Sequence, residues 1–261
     1  MSIADAAMPA ASPCFETGAA THVGKVRRLN EDSYLTKPEI GVWAVADGMG
    51  GHEAGDLASA TVVEALRSIP KPASAPDMLA SCEASIIAAN GRVRDYARQH
   101  GSVVGTTVAV LLTYDVYYAC VWSGDSRIYL VRRGSIVQLS RDHTEMQDLI
   151  DEGKLSPSEA ATFARRNVIT RAIGVHENPE LEMIHGELER GDAFIICSDG
   201  LTGHVADNEI LDAVWARPAQ AACDALVALT LERGANDNVT VVVVRFKPGG
   251  GTGATTRHPW E

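Results

Sequence analysis

The sequence predicts a mixed fold in which buried strands are interleaved with paired amphipathic helices. Three observations carry that reading. Val42 to Ala46, Ala193 to Ser198 and Val239 to Phe246 are continuous apolar runs, the pattern of strands covered on both faces. Two stretches, Asp56 to Ile69 and Asp77 to Tyr96, place apolar residues three and four apart, which predicts helices with one buried face. Glycine, proline and polar clusters separate the runs at short intervals. Two stacked sheets with helices outside would cover such strands, and so would a doubly wound sheet; periodicity does not choose between them.

Taken in order, residues 1–13 are rich in Ala, Ser and Pro and read as a disordered N-terminus. Phe15 to Val23 predicts a first strand, and Gly24 to Asp32 a polar loop dense in charge. Ser33 to Thr36 continues as a strand before Val42–Ala46. In the next segment Pro70 stops the first helix, residues 71–76 form a linker, and Asp77 is placed to cap the second helix. Gly105 to Thr113 predicts one continuous strand and Tyr117 to Trp122 its return. Ile128–Arg132 and Ser135–Leu139 flank Arg133-Gly134 as a hairpin. From Asp142 to Asn167 the texture changes to two short helices with small apolar faces, the second opened by Ser156-Pro-Ser-Glu159. That segment predicts a projecting flap. Ile169–Ile173 returns to the body as a strand, and Glu180–Glu187 is another. Asp207 caps a helix, Pro218 opens one that Gly234 closes, and residues 248–261 form a flexible tail.

Composition narrows the function. The 261 residues suffice for one large core or two small ones. A net charge of −11 without a basic cluster argues against nucleic acid as a partner, and against a nuclease. No window has the apolar length of a membrane span, and residues 1–13 lack a basic region followed by a long hydrophobic run. The five cysteines are scattered without paired spacing, which fits reduced structural thiols and a cytoplasmic location.

The chemistry is expected where strands end in acid. Val42–Ala46 leads into Asp47-Gly-Met-Gly-Gly-His52, and Ala193–Ser198 into Asp199-Gly200. The glycines allow a close backbone approach or a tight turn with positive φ. Carboxylates brought together from distant parts of a chain repel one another unless a divalent cation sits between them. Asp237 stands in a third acidic loop before Val239. Asp125, in Ser123-Gly-Asp-Ser-Arg127, reads on its own as a turn residue.

Six motifs then occur in one order: Gly24-x-Val-Arg27-x-x-Asn-Glu31-Asp32, Asp47-Gly-Met-Gly-Gly-His52, Gly105-Thr-Thr107, Ser123-Gly-Asp-Ser-Arg127, Ser198-Asp-Gly-Leu201 and Asp237-Asn-Val-Thr240. Each alone is weak, but together they resemble the metal-dependent serine/threonine protein phosphatases of type 2C, bacterial branch. The resemblance spans about residues 15–247. It implies an α+β fold, a four-layer α-β-β-α sandwich of two antiparallel sheets flanked by helices, with a small flap at about residues 142–167. The catalytic domain would span residues 14–247. The resemblance also implies hydrolysis of phosphoserine and phosphothreonine on proteins by a water bridging two Mn2+ or Mg2+ ions.

Carried over by motif, Asp47 would bridge the two ions with the Gly48 carbonyl as a further ligand, and Asp199 and Asp237 would complete the set. Asp125 with Asp199 would hold a third, weaker ion, which reverses the turn reading. Arg27 would clamp the phosphate, while Glu31 and Asp32 would act in the first or outer shell through metal-bound water. Met49 stands where eukaryotic relatives place a histidine, so His52 becomes the candidate general acid, with water as its rival. Arg165 and Arg166 on the flap are candidate substrate contacts. The implied partner is a phosphorylated protein, a Ser/Thr kinase or its target, met by a monomer. The alternative is a non-catalytic phosphoprotein-binding or partner-switching regulatory relative, which has no chemical need for four such aspartates.

Overall fold

The computed structural model of the chain describes residues 14–50, 54–160, 163–165, 167–247 and 260. Two antiparallel sheets stack face to face. One has the order β1-β11-β10-β7-β8, formed by Cys14–His22, Val239–Lys247, Ala193–Cys197, Arg127–Arg132 and Ser135–Gln138. The other has the order β2-β3-β5-β6-β9, formed by Asp32–Lys37, Val42–Gly50, Val108–Tyr114, Tyr117–Ser123 and Glu182–Glu187. A short β4, Val104–Thr106, pairs with the far end of β3. Every pairing is antiparallel, which excludes the doubly wound alternative.

The continuous apolar runs are explained by three stacked hydrophobic layers. Along β3, Trp43 and Val45 face the opposite sheet, while Val42, Ala44 and Ala46 face α1 (Gly55–Arg67) and α2 (Ala75–His100). Along β11, Val242 and Val244 point between the sheets, while Val241 and Val243 face α6 (Asp207–Trp215) and α7 (Ala219–Glu232). With period-two alternation, both faces of these strands need apolar residues. The result is the four-layer α-β-β-α sandwich. Between the sheets, Trp43 is fully buried, donates its indole N–H to Thr17 Oγ1 at 3.0 Å, and meets the Phe15 ring edge-on at 5.0 Å.

Several local expectations change. β3 does not stop at Ala46 but runs through Asp47 to Gly50, because β4 supplies a partner for that end. Gly105–Thr113 is two strands, broken at Thr107. Ile169–Ile173 is not a strand; it makes single bridges, Thr144 with Ile169 and Thr106 with Ile173. Ser74, not Asp77, caps α2: its Oγ accepts the Asp77 N–H at 3.2 Å, and Asp77 Oδ2 accepts the Ala73 N–H at 2.9 Å. Ala206 holds the cap position expected for Asp207. A single turn, α5 (Asp199–Thr202), follows β10 without a periodic signal. The flap carries α3 (Glu145–Asp151) and α4 (Pro157–Ala160), and α3 has no buried residue, as suits a projection.

The expected disordered N-terminus, residues 1–13, lies outside the described residues, as does the tail except for Trp260. Trp260 departs from a flexible tail: it is buried in the apolar layer under α1 and α2. Among the described residues no helix is long and apolar enough to cross a membrane.

Thr17→Val tests the inter-sheet layer. It leaves the buried Trp43 N–H without an acceptor and costs about 1–3 kcal/mol, read as a lower denaturant midpoint at unchanged slope.

Candidate metal centre

The acidic loops of both sheets open at one end of the sandwich. There Glu31, Asp47, Gly48, Asp125, Asp199 and Asp237 line a single cavity of about 390 Å3, with Arg27 at its side. Asp32 sits behind Asp47, its strand partner across β2 and β3. The sequence-predicted ligands are therefore brought together. Asn167 and Ile169, at the base of the flap, complete the wall, a contribution that no motif announced.

Each carboxylate is delivered by a fixed piece of backbone. The Asp47 N–H donates to Thr107 Oγ1 at 3.0 Å, and its carbonyl accepts from the Thr107 N–H and Thr106 Oγ1, both at 2.9 Å. The sequence shows these threonines only inside a motif; their task is to hold β3 in place beneath the carboxylate. A side chain on Gly48 would put its Cβ 2.1 Å from the Gly55 carbonyl oxygen, so glycine there lets α1 begin against the strand. The close approach foreseen for these glycines is thus made by protein backbone.

The opposite wall is built from β10 and β11. Ser198 Oγ donates to Asp32 Oδ2 at 2.8 Å and accepts the Thr240 N–H at 3.0 Å, a relay that pins the two sheets together under the site. A Cβ on Gly200 would lie 1.8 Å from the Asn238 carbonyl oxygen, so the Asp199 turn and the Asp237 loop touch through bare backbone. Asn238 ties down the Arg27 loop. Its Nδ2 donates to the Val23 and Leu29 carbonyls at 2.9 Å, and its Oδ1 accepts the Glu31 N–H at 2.8 Å. Arg27 Nη2 donates to Asp237 Oδ2 at 2.8 Å. Asp125 occupies the turn where the chain leaves β6 in one sheet for β7 in the other. Beside it Arg127 forks onto Asp142, Nε to Oδ1 at 2.9 Å and Nη2 to Oδ2 at 2.6 Å.

Electrostatics sets the chemistry. Burial, then repulsion from Asp32 and Asp199, pushes the Asp47 carboxyl well above the ordinary carboxylate range. Burial raises Asp32 to about 7 and Asp125 to about 8. Asp199 rises through burial and then Asp237, offset by its hydrogen bond with Asp47. Buried carboxyl groups that raise one another in this way call for a positive charge between them. Asp32 Oδ1 is buried without a hydrogen-bond partner. These observations fit hard divalent ions, which take oxygen ligands and keep much of their water. Among the described residues no three acidic, histidine or cysteine side chains are already drawn close enough together to hold an ion.

Not every candidate joins the site. Arg165 pairs with Glu145 Oε2 at 2.8 Å and does not line the cavity. His52 and Arg166 lie outside the described residues.

Comparisons with known proteins point one way. The family described as Protein phosphatase 2C matches residues 24–230. The serine/threonine protein phosphatase PstP of Mycobacterium tuberculosis is 38% identical over 223 residues, 84% of this chain; the chain spans only 43% of that relative's length. Among solved structures, PppA, a key regulatory component of T6SS in Pseudomonas aeruginosa, is 40% identical with a TM-score of 0.84, covering 91% of this chain and 99% of its own. The catalytic domain of PstP in complex with two manganese ions is 36% identical with a TM-score of 0.81, covering 90% and 99%.

The raised carboxyls make metal-free stability depend on pH. Each holds its proton in the folded chain after the unfolded chain has lost it; for Asp125 the contribution is complete below 3.8 and is lost as pH rises through about 8. In chelator, Asp125→Asn is expected to stabilise the protein by about 1–3 kcal/mol near pH 8 and to change little near pH 4. Saturating Mn2+ reverses the order near pH 8, because only the parent keeps the ligand. Thermal melts of both proteins across that range check the prediction.

Proposed function

The chain belongs to the protein phosphatase 2C family, and from that premise we propose that it hydrolyses phosphoserine and phosphothreonine on proteins with Mn2+ or Mg2+ as cofactor. The observation that carries the reading is the ring of Asp47, Asp125, Asp199 and Asp237 around one cavity, with Arg27 beside it. Asp47, the Gly48 carbonyl, Asp199 and Asp237 would hold two ions. Asp125 and Asp199 would hold a third, and Glu31 and Asp32 stand behind them. When bound, the ions supply Lewis acidity, lowering the pKa of water and neutralising phosphate oxygens.

The chain's own groups account for the rest. Arg27 reaches the cavity wall with one N–H committed to Asp237, leaving further guanidinium donors for the phosphate oxygens. The Thr106 and Thr107 bonds keep Asp47 from shifting when charge enters the site. Cys197 is no rival nucleophile: it is fully buried in β10, with its thiol pushed up to about 12. A proton must reach the departing serine oxygen, and His52 or water would supply it. Arg165 and Arg166 would meet the substrate protein only if the flap folds over it. A cytoplasmic monomer opposing a Ser/Thr kinase completes the proposal; five free thiols support a reducing compartment.

Release of phosphate from a phosphoserine peptide and from para-nitrophenyl phosphate, with and without Mn2+, tests the reading. Asp199→Asn and Asp237→Asn should each lower turnover by roughly 100-fold or more, since metal binding supplies several kcal/mol. Turnover unchanged by chelator would overturn it. Arg27→Ala should raise KM about tenfold at saturating Mn2+, more than it lowers kcat. His52→Ala at full turnover across the pH range would leave the proton to water.

A further inference from the structure

His143 stands outside the carboxylate ring, yet it touches the turn that carries Asp125. Its side chain is 1% exposed. Nδ1 accepts the Gly124 N–H at 3.1 Å, so that nitrogen bears no proton and the neutral ring carries its hydrogen on Nε2. Nε2 lies 3.2 Å from Glu182 Oε1 and donates to it. Arg171 Nη1 is 3.3 Å from the same Nε2, but its proton goes to Glu182 Oε1 at 2.6 Å. Burial holds the imidazole below its ordinary pKa, in keeping with a neutral ring.

The backbone of His143 repeats the pattern. Its N–H donates to the Gly124 carbonyl at 3.0 Å, and its own carbonyl accepts the Thr170 N–H at 2.8 Å. One residue therefore binds the β6–β7 turn, the chain returning from the flap (Thr170, Arg171) and Glu182 on β9. Trp122 stacks on the ring at 6.3 Å and 21°, and its indole N–H donates to the Arg141 carbonyl at 2.8 Å. Gly124, at φ 108°, has a conformation open to glycine and strained for other residues, which keeps the turn tight against His143.

We propose that His143 is a positioning residue for Asp125: its Nδ1 fixes the Ser123-Gly124-Asp125 turn, and its remaining bonds couple that turn to the base of the flap. The proposal rests on the metal-dependent phosphatase reading. A histidine that merely fills the core would tolerate any substitute of equal bulk. A positioning histidine needs its acceptor at one place. Asparagine puts an oxygen near the Nδ1 position, whereas glutamine reaches toward the Nε2 position and leaves the Gly124 N–H unpaired.

The test compares His143→Asn and His143→Gln with the parent in titrations with Mn2+ alone, followed by calorimetry, together with melting temperature and turnover of para-nitrophenyl phosphate. His143→Gln is expected to weaken the Mn2+ binding step that Asp125→Ala removes, by about 10–100-fold as for other partners that orient metal ligands. His143→Asn should restore most of it. In an Asp125→Ala background neither substitution should alter Mn2+ binding further. The proposal is overturned if both variants titrate like the parent, if both lose Mn2+ binding equally in step with melting temperature, or if the loss persists without Asp125. A parent that binds no Mn2+ and releases no phosphate overturns the underlying reading as well.

Discussion

The constraint on which this molecule depends is the crowding of carboxyl groups at one end of a β-sandwich. Asp32, Asp47, Asp125 and Asp199 all have their acidity suppressed by burial, and each is disturbed further by the others. An arrangement so costly to ionise persists only if the surrounding structure holds it rigidly. Four separate segments share that task. Thr106 and Thr107 grip the β3 backbone, Ser198 links Asp32 to β11, Asn238 fastens the Arg27 loop, and the Arg127–Asp142 fork braces the Asp125 turn. The binding energy of divalent ions is thereby prepared in advance, since the ligands need little rearrangement to receive them.

The two sheets make this possible because their strands are apolar on both faces. With helices outside and the Trp43–Phe194 layer inside, the strands become stiff rods whose ends are free to carry polar chemistry. Placing the acids where strands end keeps them out of the core yet bound to it. The close approaches at Gly48 and Gly200 bring backbone to backbone within each wall, Gly48 against the start of α1 and Gly200 against the loop before β11.

Much of this was legible from residue order. Alternating burial along β3 and β11 leaves an apolar run that says "covered twice"; helical spacing named α1 and α2, and Pro218 and Gly234 bounded α7. The aspartates were legible because motif order tied them to a family. What stayed hidden follows from physics that one-dimensional patterns lack. β3 continues past Asp47 because of a partner more than fifty residues away, which local propensity does not see. Ser74 outcompetes Asp77 for the cap by three positions, a choice that depends on where Pro76 allows the first turn. Ile169–Ile173 looked like a strand from its composition, yet no neighbouring strand lies within pairing reach beyond single bridges. The work of Asn238 and Ser198 is fixed by contacts made more than 160 residues apart.

The strand order has a bearing on when the centre comes into being. β11, close to the end of the described chain, lies between β1 and β10, and Asp237 and Asn238 precede it directly. Ligands supplied early in synthesis thus await β11 before their cavity closes. A nascent chain still lacking β11 on the ribosome would have half a sheet, a loose Arg27 loop and no centre to load. The cavity is thus a property of chain segments far apart in sequence, and it takes shape only when β11 has been inserted between β1 and β10.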